Sequence, residues 1–147
     1  MKYPEAFLQF CAKLSLTLTS LRREVLFILW QAKKPVKAYE LLAELVKTNS
    51  QSKPPSIYRA LNYFADKGIV HKIESIQSYT LCCEPQKQLV SEVLMVCDTC
   101  HHVIEIHDPD LQHLVSKLSK ENFFSLHDDI IELKGLCANC TSIHYTA

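Results

Sequence analysis

The 147 residues allow one or two small domains, and with 48% hydrophobic and 22% charged residues the composition is that of an ordinary globular chain. Two glycines leave no room for Gly-rich phosphate loops or flexible linkers, and no stretch approaches the ~20 apolar residues of a membrane span. The zero net charge conceals two opposed halves: residues 1–80 carry 12 Lys/Arg against 6 Asp/Glu, and residues 81–147 carry 4 against 10. A basic half can approach a polyanion, and an acidic half attracts cations. Met1-Lys2-Tyr3-Pro4-Glu5 opens no apolar signal core, so a cytoplasmic location is expected, where thiols stay reduced.

Residues 5–16 read as a short apolar-rich helix. Thr19 caps a second, in which Leu21, Val25, Ile28 and Leu29 fall at i, i+4, i+7 and i+8, and Lys33-Lys34-Pro35 ends it. Ala38, Leu41, Leu42, Leu45 and Val46 form a third amphipathic stripe, and Asn49-Ser50-Gln51-Ser52 a loop. Pro54-Pro55 opens a fourth helix with Ile57, Ala60, Leu61 and Phe64 inward and Gly68 as its stop. Ile69–Ile73 and Ser78–Leu81 then read as a hairpin around a Glu74–Gln77 turn.

Short helices followed by a hairpin make a winged helix, and the fourth helix is its recognition helix, the element that enters the major groove. Its outward face carries Ser56, Tyr58, Arg59, Asn62, Tyr63 and Lys67, groups able to reach base edges and phosphates rather than the Glu/Lys pairs of a merely solvated helix. The second half differs. Val93–Val96 and Val103–Ile106 read as strands, Asp108-Pro109-Asp110 as a capped helix start, and Ile130–Leu133 as a last strand. The whole is expected to be α+β: a winged-helix DNA-binding domain over 1–83, a hinge over 84–92, and a small α/β dimerisation and metal-binding domain over 93–147. So small a unit gains from a metal staple and a partner subunit.

Seven cysteines stand at 11, 82, 83, 97, 100, 137 and 140. Cys97/Cys100 and Cys137/Cys140 are two Cys-x-x-Cys knuckles beside strands, the pattern of a closed tetrahedral thiolate shell for structural Zn²⁺. The competing readings are two disulfides, which fit a reducing compartment poorly, or a redox Cys-x-x-Cys enzyme, which needs one free pair with a low-pKa thiol. Cys11, on an apolar helix, reads as a small core residue. Cys82 and Cys83 follow the second strand of the wing, with His71 on the facing strand, and are candidate ligands for a second ion.

The segments Leu18-Thr19-x-x-Arg22, Ala38-Tyr39-Glu40-Leu41-Leu42, Lys53-Pro54-Pro55-Ser56-Ile57-Tyr58-Arg59-Ala60-Leu61, Gly68-Ile69-Val70-His71-Lys72-Ile73-Glu74-Ser75, Ser78-Tyr79-Thr80-Leu81-Cys82 and Gly135-Leu136-Cys137 are spread in order over almost the whole chain. Together with the paired knuckles they resemble the ferric uptake regulator family of bacterial repressors, and within it the zinc-sensing branch. The resemblance implies a homodimer that binds a palindromic double-stranded DNA operator when a regulatory metal is bound, with no membrane association. It implies structural zinc at Cys97, Cys100, Cys137 and Cys140, a second, regulatory zinc at His71, Cys82 and Glu105, and DNA contacts from Tyr39 and Arg59, to which the recognition-helix face adds Ser56 and Tyr58. The chain departs from the family twice. No histidine lies between the wing and the first knuckle, where Val90 aligns with the family ligand, leaving Cys83, Glu84, Glu92 or water to complete the set. A family histidine before the last strand is shifted to His127, beside Asp128 and Asp129, so a further site with Glu105 and His101 or His102 is conceivable. A relative sensing iron, manganese or peroxide is the nearest alternative; the thiolate at Cys82 argues for zinc.

Overall fold

The Thr19 hydroxyl accepts the Arg22 amide at 3.3 Å and starts the second helix, as the sequence anticipates. The computed structural model describes residues 2–82, 92–127 and 130–145, the side chains of 143–145 excepted. In the first half these form α1 (Glu5–Lys13), α2 (Ser20–Ala32), β1 (Val36–Lys37), α3 (Ala38–Thr48), α4 (Pro54–Asp66), β2 (Val70–Ile73) and β3 (Ser78–Leu81). Phe7, Val25, Leu26, Leu29, Leu41, Leu45, Ile57, Leu61 and Phe64 lock the helices together in one apolar core that also takes in Tyr79 of the wing. The strands order as β1-β3-β2, all antiparallel, with His71 opposite Thr80 and Lys72 opposite Tyr79.

The second half holds β4 (Glu92–Cys97), β5 (Val103–Ile106), α5 (Pro109–Glu121), β6 (Ile130–Gly135) and α6 (Ala138–Tyr145). Its sheet orders as β5-β4-β6; β5 pairs antiparallel to β4 while β6 pairs parallel to it, Val93 opposite Ile131 and Cys97 opposite Gly135. Parallel neighbours need a long crossover, and α5 lies within it. Two compact units, Met1–Lys87 and Gln88–Ala147, correspond to these halves. Most of the expected hinge, 84–91, lies outside the described residues, and Glu92, placed at its end by the sequence, is the first residue of β4.

Three elements differ from expectation. The first helix stops at Lys13, because Ser15 turns left-handed at φ 52°. The two-residue β1 is too short to show a period. The terminal helix α6 has no apolar stripe to announce it.

Two helices end alike with different residues. Gly68, at φ 69°, follows α4 and lets the Ile69 amide bond back to Phe64 O at 2.9 Å. After α5 the same left-handed position is held by Phe123, at φ 53° and 99% exposed, with the Phe124 amide on Ser119 O at 2.8 Å. Glycine suits this position because a side chain there is strained by about 1–2 kcal/mol. Phe123→Gly is therefore expected to raise the melting temperature by a few degrees in a calorimetric scan of zinc-loaded protein. A lower melting temperature would mean that the exposed ring is covered by a second subunit.

Candidate metal centre and nucleic-acid interface

The first knuckle is shaped by its backbone. The Cys97 amide donates to His102 O at 2.9 Å, the His101 amide to Cys97 O at 3.0 Å, and the Asp98 amide to Gly135 O at 2.8 Å. His101 closes the turn at φ 59°. The second knuckle starts α6, where the Thr141 amide and hydroxyl both donate to Cys137 O, at 2.8 and 2.9 Å. Parallel pairing of β4 with β6 sets the two knuckles side by side, although 36 residues separate them in sequence.

The four sulfurs converge. Sγ of Cys97, Cys100, Cys137 and Cys140 all lie within 4.8 Å of one another, and Cys100 Sγ stands 3.7 Å from Cys137 Sγ. That separation is far beyond the ~2.05 Å of a disulfide. A tetrahedron of Zn–S bonds near 2.3 Å has sulfur–sulfur edges of about 3.8 Å, so the donor set fits Zn²⁺. The amides of Cys100 and Cys137 pull the Cys97 thiol down to about 6. Hydrogen bonding to Cys137, burial and the other cysteines push Cys140 up to about 12. The His102 amide pulls Cys100 down, but burial and its bonds with Cys97 and Cys137 outweigh it and leave it raised. Four thiols held this close cannot all ionise by themselves; a dication among them would supply the missing charge. Both pairs join one cluster, so neither is left as the free dithiol of a redox enzyme.

In the wing, Cys82 continues β3, its amide donating to Ile69 O at 2.8 Å. This puts it diagonally across from His71 on one face of the hairpin. Both are buried, at 5% and 4% exposure, and a ring nitrogen of His71 lies within 4.8 Å of Cys82 Sγ. In the second unit, Glu105 stands opposite Leu94, with its carboxylate 3.9 Å from His107 Nε2. Strand alternation puts the buried Glu92 on that same sheet face. Cys83, Glu84, Val90, Asp128 and Asp129 lie outside the described residues; His101, His102 and His127 are exposed.

The expected DNA-contacting residues are distributed over two recesses. Tyr39, in the first turn of α3 and 66% exposed, shares one with Tyr58 of α4, 48% exposed. Ser56 and Arg59 share the other with Thr19 and Arg22. The Arg22 guanidinium sits 3.6 Å above the Tyr63 ring, a cation–π contact that holds it beside Arg59. In the sequence Arg22 is visible only as part of a family motif. Of the residues that line the first recess, Lys72 and Tyr79 are likewise visible only inside family segments, and Lys37 does not stand out at all, since a lysine at a strand end carries no signal of its own.

Residues 13–134 match the Ferric uptake regulator family, 122 of the 147. The chain belongs to this family. Among curated relatives of the family, the "Zinc uptake regulation protein" of Escherichia coli (strain K12) is 35% identical over 133 residues, which cover 90% of this chain and 78% of that protein. The "Ferric uptake regulation protein" of Neisseria meningitidis is 25% identical over 109 residues, 74% of each chain. Among solved structures, a zinc uptake regulator complexed with zinc and DNA superposes with a TM-score of 0.85 at 33% identity, covering 96% of both chains. The holo form of XcZur superposes with a TM-score of 0.82 at 34% identity, covering 95% of this chain and 99% of that one. The chain thus shares the fold of these zinc uptake regulators, with its own winged-helix half and four-cysteine cluster.

Proposed function

We propose that the chain is a zinc-responsive, DNA-binding transcriptional repressor of zinc-uptake genes, acting as a cytoplasmic homodimer rather than as an enzyme. The observation that carries this is the likeness along 96% of the chain to a zinc uptake regulator complexed with zinc and DNA. The iron-named relative is more distant, at 25% identity against 35%. Among the described residues no helix is long and apolar enough to cross a membrane.

Cys97, Cys100, Cys137 and Cys140 would hold the structural zinc, and the second unit would supply dimerisation. Met95, Ile104, Leu114, Leu118 and Leu133 of that unit are all exposed in the single chain, and no residue of α5 is buried. A second copy covering them would complete a core that one chain leaves thin. His71 and Cys82 would bind the regulatory zinc from the winged helix, with Glu92 and Glu105 as its oxygen donors from the dimerisation unit. Donors drawn from both units restrict the spacing of the two recognition helices in the dimer, and that spacing must match half-sites about one helical turn apart. Zinc shifts the population toward the DNA-competent form only by binding it better than the others.

Arg59, Tyr58 and Ser56 on α4, with Tyr39 on α3, would meet the operator. Binding of zinc-loaded protein to the control regions of zinc-uptake genes, with and without zinc, tests the reading. Arg59→Ala is expected to weaken operator binding by about 1–3 kcal/mol, concentrated at one base position if the guanidinium reads a guanine edge. A phosphate contact would weaken all sequences alike. Unchanged affinity at every salt concentration would remove Arg59 from the interface.

A further inference from the structure

At the foot of the wing, the end of β1, the first turn of α3, the exposed side of α4 and strands β2 and β3 border an open recess of about 440 Å³. Lys37, Tyr39, Tyr58, Lys72, Gln77 and Tyr79 line it, and no carboxylate is among its lining residues. Two ammonium groups facing one recess repel each other, and an anion between them removes that repulsion. The register of β3 against both neighbours fixes Tyr79, directly opposite Lys72 on one side and Val36 on the other. Tyr79 is buried, and burial pushes its phenol pKa further above the ordinary value of 10.0, so that it stays a donor at neutral pH as any tyrosine does. The backbone at Lys37 is fixed as well, its amide donating to Glu40 Oε2 at 2.8 Å at the start of α3. The recess is therefore built on three strands and two helices and lined by donors. One acid stands close by: Glu74 Oε1 is 3.2 Å from Lys72 Nζ, and this bond raises the lysine pKa.

We propose that this recess seats a backbone phosphate of duplex DNA beside the base pairs met by α4, with Lys37 and Lys72 as its cations, tyrosine hydroxyls as its donors, and Glu74 as a resident competitor that Lys72 exchanges for the phosphate. The inference rests on the DNA-binding reading above and adds to it a sequence-independent contact and a brake. Phosphate contacts fix register and orientation on the duplex without carrying sequence information. An acid already paired with the cation lowers affinity for every sequence alike.

The test follows zinc-loaded, full-length protein on a mixed-sequence duplex several helical turns long, by fluorescence anisotropy across a range of salt concentrations. Lys37→Gln and Lys72→Gln should each flatten the slope of log affinity against log salt by about 0.9 for every phosphate that is no longer neutralised. Glu74→Gln should tighten binding several-fold in the wild-type background and do nothing in the Lys72→Gln background, the coupling that a shared partner requires. If the wild type binds the duplex while both lysine variants keep its slope, or Glu74→Gln acts the same without Lys72, the recess is not a phosphate site. If the wild type ignores duplex DNA at every salt concentration, the DNA-binding reading itself fails. None of the three substituted side chains, Lys37, Lys72 and Glu74, is buried, and thermal melts are the check that the variants fold.

Discussion

Cys137→Ser is expected to remove the bound zinc, abolish the cooperative melting of the second unit and leave monomers, while the helices of the first unit persist. The asymmetry follows from where the cores are. The first unit buries its own cluster of aromatic and aliphatic side chains around Phe7, Leu26, Leu41 and Phe64. The described residues of the second unit bury only Val93, Leu94, Val96, Cys97 and Cys140 among apolar groups, and two of those five are thiols of the four-cysteine cluster. Structural zinc contributes on the order of 10 kcal/mol where a site forms only with folding, which exceeds what so thin a core supplies. Zinc stoichiometry, sedimentation and calorimetry on the variant measure the three effects. A Cys137→Ser protein that stays dimeric and melts as the wild type does would falsify the assignment.

The second large effect concerns sensing. Cys82→Ser should keep the dimer and its structural zinc while making operator binding indifferent to added zinc. Allosteric coupling of this kind is about 1–3 kcal/mol, or about 5- to 150-fold in affinity, and the variant should lose all of it. Serine keeps the size of the side chain but exchanges a soft thiolate for a hydroxyl, a poor zinc ligand at neutral pH. Zinc is titrated into protein that retains only its structural ion, with operator binding followed in parallel. Equal binding curves for wild type and variant at every zinc level would move the sensor away from His71 and Cys82, toward the histidines at 101 and 102.

Much of this was legible in the residues. Long amphipathic stripes such as Ile57–Phe64 announce their helix and its inward face, and Asp108 before a proline announces its cap, whose side chain accepts from the Asp110 and Leu111 amides. The two knuckles declared a four-thiolate centre, because two intervening residues let both sulfurs of a pair face one ion. What stayed hidden lacks a local signature. The pairing of β6 with β4, which brings the knuckles together, is a contact between distant segments, and no window of sequence contains it. Glu92 reads as the end of a linker until β4 is seen to begin there. That Lys37, Lys72 and Tyr79 share one recess follows from the strand register that gathers them.

The parallel pairing of β4 with β6 also has a consequence for biosynthesis. Cys97 and Cys100 leave the ribosome well before Cys137, with 36 residues still to be made. At synthesis rates of about 5–20 residues per second, the first pair waits roughly 2–7 s for its partners. Through that interval the two thiols have no closed shell, and β4 has its β5 neighbour but an open edge where β6 will dock. A nascent chain in this state is exposed to oxidants, to competing soft metals and to strand addition from other chains. Production of intact protein should therefore depend on a reducing supply and on zinc being present during translation, not only afterwards.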